Sequence, residues 1–223
     1  MMISIAMDGP AGAGKSSLAK AAAKELGYIY VDTGALYRTL GYKALQNSIT
    51  IEAGETVDKM LAETSVDIRF VDGEQHVFLD GVDVNDKIRT PEVSMSASKI
   101  SAIPAVRAFL LEKQREMARH HDVLMDGRDI GTVVLPNATV KIFITASPEE
   151  RATRRYKELL EKGQKVEYKD VYDDMVKRDY EDSHRAIAPL KPAEDAVLFD
   201  TTGNTLEMSI PLLVNLIHER LAE

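Results

Sequence analysis

Apolar residues along this chain gather into short dense runs separated by longer mixed stretches. The runs at 3–7, 28–31, 123–126, 140–144 and 196–200 are brief and nearly uncharged, and they predict buried strands. Between them, 16–26, 35–46, 104–119, 148–162 and 168–182 read as helices, the second with apolar positions recurring three and four residues apart. Gly27 stands where the first of these helices must stop. Ser147-Pro148-Glu149-Glu150 opens another, with serine in the capping place and proline in the first helical one, and Gly163 closes it. A terminal helix is expected to be capped by Ser209, with Pro211 in its first turn. Strand and helix alternate, so the chain is expected to be α/β with a parallel sheet.

One stretch breaks this rhythm. Residues 66–71 and 76–79 are strand-like and flank a turn at Asp72-Gly73, and 81–84 offers a third strand. We read 61–89 as a small antiparallel insertion in a single unit that fills all 223 residues.

Composition narrows the chemistry. A formal charge of -8 excludes a protein that coats nucleic acid, whose binding needs clustered Lys and Arg. There is no cysteine, and the five histidines are scattered, so neither a disulfide framework nor a zinc site is expected. The first residues lack the charged flank and cleavage site of a signal peptide, and no run is long enough to span a bilayer. A cytoplasmic protein without membrane or nucleic-acid partners is the expectation.

The most informative string is Gly9-Pro10-Ala11-Gly12-Ala13-Gly14-Lys15-Ser16, followed by Ser17, which matches the phosphate-binding P-loop pattern. It falls between a predicted strand and a predicted helix, as that loop requires. Its glycines let backbone N–H groups turn inward around phosphates, Lys15 reaches the outer phosphates and the Ser16 hydroxyl suits Mg²⁺. The strand 123–126 ends in Asp126, a carboxylate placed for the magnesium side of such a site, although aspartate before glycine is also ordinary turn chemistry. Gly127-Arg128-Asp129 follows at a strand's carboxyl end, where open α/β sheets bind ligands. Arg151, Arg154 and Arg155 share one helix, and Arg178 and Arg185 lie further on. The planar guanidinium fork suits phosphate, but the surrounding charge is nearly balanced, which a solvated helix pair would also give.

Asp32-Thr33-Gly34-Ala35-Leu36-Tyr37-Arg38, Ile88-Arg89-Thr90, Asp126 through Val134 and Arg178 through Arg185, taken in that order with the P-loop, resemble bacterial cytidylate kinase over nearly the whole chain. The resemblance implies a P-loop NTPase three-layer fold with a five-stranded parallel sheet. It also implies a monophosphate-binding region carrying the antiparallel insertion, and a helical lid near 148–165. It implies transfer of the γ-phosphoryl group of ATP to CMP or dCMP with Mg²⁺, in a monomer. In that family's terms Arg38 and Arg128 hold the acceptor phosphate, with Thr33 and Tyr37 lining its pocket. Ser98, Arg107 and Asp129 read the cytosine with Arg185 nearby, and Arg178 and Asp182 approach the ribose. Arg154 and Arg155 supply lid cations to the transferring group, and Ser16 and Asp126 serve the metal. From the residues alone, a kinase of another small acceptor such as shikimate and a nucleotide-dependent switch both stay open, while a nucleic-acid motor conflicts with the acidic balance.

Overall fold

Strands form where the chain is apolar without interruption, and the first of them sets the frame of the computed structural model, which describes residues 2–71 and 73–222. β1 (Ser4–Asp8) is buried from Ile5 onward. It pairs in parallel with β6 (Val123–Asp126) on one side and β7 (Val140–Thr145) on the other. β2 (Ile29–Asp32) and β8 (Val197–Asp200) complete a five-stranded parallel sheet in the order β2-β6-β1-β7-β8. A strand buried on both faces needs the continuous apolar run seen here, because helices cover the sheet. Met7 lies opposite Asp126, so β1 and β6 end side by side.

The chain divides into two compact units, with the boundaries at Ile29/Tyr30 and His120/His121. The first unit, which takes the chain up to Ile29 and from His121 on, holds β1, β6, β7, β8 and α1 (Lys15–Leu26). It also holds α6 (Pro148–Glu161), α7 (Tyr168–His184) and α8 (Leu206–Leu221). Helices α1 and α8 pack on each other, as do α6 and α7. The second unit holds α2 (Thr33–Gln46), α3 (Glu55–Ala62), α4 (Pro91–Ile100) and α5 (Pro104–His120). Its antiparallel sheet is β3 (Val66–Val71), β4 (Glu74–Leu79) and β5 (Val82–Asp83). One core serves this unit, in which Leu36 and Leu40 of α2 meet Val57 and Met60 of α3, Val77 of β4 and Leu110 of α5.

The parallel sheet, the antiparallel sheet and the main helices match what the sequence predicts. Gly27 closes α1 at φ 72°, and the Ser147 hydroxyl accepts from the Glu150 amide ahead of Pro148. The turn expected at Asp72-Gly73 falls partly outside the described residues, since Asp72 is not among them; Gly73 has φ +80°.

The strands of the insertion lie at 66–71, 74–79 and 82–83, close to the runs predicted, while the span 61–89 drawn around them also takes in the end of α3 at Ala62. Other expectations need correction. Neither α3 nor α4 was expected. α3 starts at Gly54 without a side-chain cap, so nothing polar announces it, yet Val57, Met60 and Leu61 are buried at helical spacing. α4 carries a legible start, Thr90 capping the Val93 amide with Pro91 first in the helix, but its Ser-rich interior hides it.

The terminal helix begins four residues earlier than expected. Thr205, not Ser209, is the cap, accepting from Met208. The Ser209 hydroxyl donates to the Thr205 carbonyl from inside the helix, and Pro211 is interior. Finally, residues Ile130–Val134 form a π-helical turn, closed by the Leu135 amide on the Ile130 carbonyl at 2.7 Å.

Candidate active site

The loop after β1 is shaped by what its glycines avoid. A Cβ on Gly9, at φ +148°, would stand 2.0 Å from the Ile144 carbonyl oxygen, and one on Gly12, at φ +73°, would meet Met175 and Arg151. Only glycine lets the backbone pass so close to β7 and α7. Gly14 ends the loop in a left-handed conformation with no side-chain cap on α1. The first amides of α1 therefore lie at a helix N-terminus with no side-chain cap, which is an anion-binding arrangement.

Lys15 opens α1 and is buried, its Nζ donating to the Pro10 carbonyl at 2.7 Å. Burial first, and then the Arg128 guanidinium, push its pKa well below the usual lysine value, with Asp126 and Asp8 opposing and Arg178 adding to the depression. The next residue, Ser16, donates through its hydroxyl to Asp126 Oδ2 at 2.7 Å. Strand register explains this meeting, since β1 and β6 deliver the loop and Asp126 to the same edge.

Beyond β6 the charged residues interlock. Arg128 Nε donates to Asp182 Oδ2 at 3.1 Å. Arg185 reaches Asp129 at 3.4 Å and Asp182 at 3.9 Å, while its Nε donates to the Ala188 carbonyl at 2.6 Å. Four residues singled out from the sequence, Arg128, Asp129, Asp182 and Arg185, thus form one mesh, its two carboxylates buried and its two arginines half-buried. Arg178 is close enough to act on Lys15.

The arginines of α6 separate by role. Arg151 faces inward, donating to the Ala146 carbonyl, to the Ala11 carbonyl of the loop at 3.0 Å and to Asp179 of α7 at 2.5 Å. Arg154 lies beside the loop, 3.8 Å from where a Gly14 Cβ would be, and donates to the Thr201 and Asn204 carbonyls. Arg155 pairs with Glu158 on its own helix at 2.7 Å.

In the second unit, Thr33 and Tyr37 stand at the start of α2. Asp32 caps that helix by accepting from the Ala35 amide at 2.9 Å, and also accepts from Arg38 Nη2 at 2.7 Å. Arg89 comes within 3.6 Å of the same carboxylate. The Arg38 Nε is buried without a hydrogen-bond partner, an orphaned donor. Arg107 lies 5.5 Å from the Tyr37 ring centre and donates to the Ser101 carbonyl. Ser98 is half-buried on α4, its carbonyl accepting from the Ser101 hydroxyl.

Sequence reasoning did not select Asp8, Asp32 or Arg151 as site residues. Asp32 had a signal, standing just before a helix start, and Arg151 was noted only as one of a group of cations. Asp8 had none beyond ending an apolar strand. Among the described residues, no group of three or more His, Cys, Asp or Glu is placed to hold a metal, and no helix is long and apolar enough to cross a membrane.

Comparison with known proteins identifies the family. The sequence profile of the cytidylate kinase family matches residues 5–219. The cytidylate kinase of Caldicellulosiruptor bescii is 50% identical over 97% of this chain and 96% of its own length. That of Streptococcus mutans is 48% identical over 99% and 96%. A crystal structure of an uncharacterized protein from Eubacterium ventriosum shares the fold with a TM-score of 0.54 at 12% identity, covering 100% of this chain and 99% of its own. With the phosphate loop, the mesh behind β6 and a family profile spanning nearly its whole length, this chain belongs to the cytidylate kinase family.

Proposed function

We propose that this kinase moves the γ-phosphoryl group of ATP to CMP or dCMP by alignment and charge neutralisation, without a general base. Membership of the family makes it a CMP kinase with ATP as donor; the assignment of residues to steps is our reading. The single observation that carries it is the placing of Arg128, Asp126 and Arg178 near enough to act on the charge of Lys15, whose Nζ donates to the Pro10 carbonyl of the loop.

In this reading the amides of residues 9–17 cradle the donor phosphates. Lys15 leaves the Pro10 carbonyl for the outer phosphate oxygens, whose charge restores its proton affinity. Arg38 and Arg128 grip the acceptor phosphate, and the orphaned Arg38 Nε supports that role by offering a donor that nothing in the protein satisfies. Thr33 and Tyr37 line that pocket, and Arg178 and Asp182 meet the ribose. Asp129, with Ser98, Arg107 and Arg185, reads the base, because a carboxylate accepts from the exocyclic amine of cytosine whereas uracil would oppose it with an oxygen.

Phosphoryl transfer asks for little covalent help, so positioning and cations that meet charge on the equatorial oxygens account for the rate. Arg154 and Arg155, on a lid formed by α6, would swing toward the transferring group as water is expelled.

Ser16 and Asp126 fit Mg²⁺. Both present oxygen and they already touch, which suits an ion that takes its other ligands from phosphates and water. Held by Ser16 and Asp126, the ion would supply positive charge that neutralises the phosphates. We read the enzyme as cytoplasmic and, from the resemblance, as a monomer.

The test is ADP formation with CMP, dCMP, UMP and AMP under one condition. CMP and dCMP should lead by a wide margin, and equal rates with UMP would sink the reading of the base.

A further inference from the structure

Asp8 closes β1 one residue before the phosphate loop, and nothing in the transfer described above uses it. Its two carboxylate oxygens are divided between two backbone donors far along the chain. The Ile130 amide donates to Oδ1 at 2.8 Å and the Gly131 amide to Oδ2 at 2.7 Å. These amides open the π-helical turn Ile130–Val134, and at the start of any helix such donors have no acceptor within it.

The residue in the capping place is Asp129, a type that ordinarily folds its own carboxylate back onto those amides. Here the Asp129 side chain makes no capping hydrogen bond, and it lies 3.4 Å from Arg185 instead. A carboxylate borrowed from β1 does the capping, and the one on Asp129 pairs with Arg185.

The surroundings hold this arrangement in one place. Asp8 is 4% exposed, and Ile130 and Gly131 are buried. A Cβ on Gly131 would lie 3.2 Å from the Lys141 side chain and 3.4 Å from Asp8 Oδ2, so the turn sits directly against both. Burial lifts the Asp8 pKa to about 6, and the two amides act against that rise, so they favour its charged form.

We propose that Asp8 is a positioning residue for the acceptor site, capping the 130–134 turn in place of Asp129 and so fixing how Arg128 and Asp129 are presented to the monophosphate substrate. This rests on the reading that Arg128 and Asp129 meet that substrate.

Asp8→Asn keeps the shape but sets an amide donor against one of the two backbone donors. Losing a charge-assisted bond of this kind should weaken CMP binding, measured by calorimetry without ATP, about tenfold or more, and change the dissociation constant for ATP far less, since Asp8 bears on Lys15 only through its charge. Hydrogen exchange at Ile130 and Gly131 should accelerate relative to the amides of the central sheet. Unchanged CMP affinity, or equal weakening for CMP and ATP, overturns the proposal, because a general disturbance beside the loop would affect both ligands.

If the variant does not fold, the wild-type enzyme still decides. Slow exchange at Ile130 and Gly131 supports the cap, since the Asp8 oxygens accept from both amides, and fast exchange overturns it. Asp129→Ala, run in parallel, separates the two ideas: a CMP over UMP preference that it leaves intact removes Asp129 from base reading, while the Asp8 cap is judged by exchange and by the split between ligands.

Discussion

The Ser16 hydroxyl donates to the Asp126 carboxylate at 2.7 Å across a sequence separation of 110 residues. A first-turn helix residue and a strand-end residue meet because β1 and β6 pair in parallel with Met7 opposite Asp126. Two oxygens already held together need little rearrangement to accept a small, hard cation. Ser16→Ala removes one of them. The Mg²⁺ concentration for half-maximal activity should rise about 10- to 100-fold, measured by metal titration of the initial rate. An unchanged Mg²⁺ requirement would take Ser16 out of the metal's surroundings.

Lys15→Ala deletes the buried cation that leans on Pro10. Losing a single preorganised donor to a reacting group commonly costs about 10² to 10³ in turnover, and that loss is expected here while circular dichroism stays native. Near-normal kcat in a folded variant would contradict the assignment of the loop.

Asp129→Ala takes away the acceptor that opposes uracil. The ratio of kcat/KM for CMP to that for UMP should narrow by roughly tenfold, the scale of a single base-edge contact. The arginine mesh keeps Asp182, so the acceptor phosphate should still bind.

Gly9→Ala tests the close pass of the loop under β7. Its added methyl would collide with the backbone oxygen of Ile144, an atom that cannot swing aside as a side chain would. We expect a lower melting temperature together with weaker ATP binding, read by thermal denaturation with and without nucleotide.

Asp8 also makes stability depend on pH in a stated direction. Its pKa stands at about 6 in the folded protein against 3.8 for an ordinary aspartate. The folded state therefore holds the proton more tightly. The contribution is greatest below pH 3.8, where both states are protonated, and it is lost as pH rises through 6. Over that window the Asp8 carboxyl should cost about 3 kcal/mol of stability. The difference in unfolding free energy between the native protein and Asp8→Asn, from urea titrations at pH 4 and pH 7, should shift toward the variant at the higher pH. A constant difference would show that Asp8 titrates as an ordinary surface carboxylate.

The parallel framework was legible in the sequence because each of its strands is a short, mostly apolar run with little charge and because Gly27, Ser147 and Pro148 mark helix ends through their own backbone preferences. The phosphate loop was legible for the same reason, since its glycines answer a local steric need. What stayed hidden depends on distant partners. α3 begins at a glycine that caps with nothing, and only its packing against α2 and α5 makes it a helix. Ser209 reads as a cap in isolation, but Thr205 holds the Met208 amide and a hydroxyl inside a helix can bond backward to the preceding turn. The π-helical turn and its cap at Asp8 involve residues more than a hundred positions apart, which no periodicity records. Among the candidate residues, Arg128, Asp129, Asp182 and Arg185 were recognisable by type and string, yet their mutual pairing is a product of the fold.

Arg151 joins three segments through one guanidinium: the Ala11 carbonyl, α6 and Asp179 of α7. β1, which leads into the loop, finds both of its hydrogen-bonded neighbours only between 123 and 145. A chain leaving the ribosome would thus expose its first dozen residues early and complete them late, once Asp179 has emerged. Fragments that stop short of α7 should lack a finished nucleotide cradle even though they contain every residue of its glycine motif.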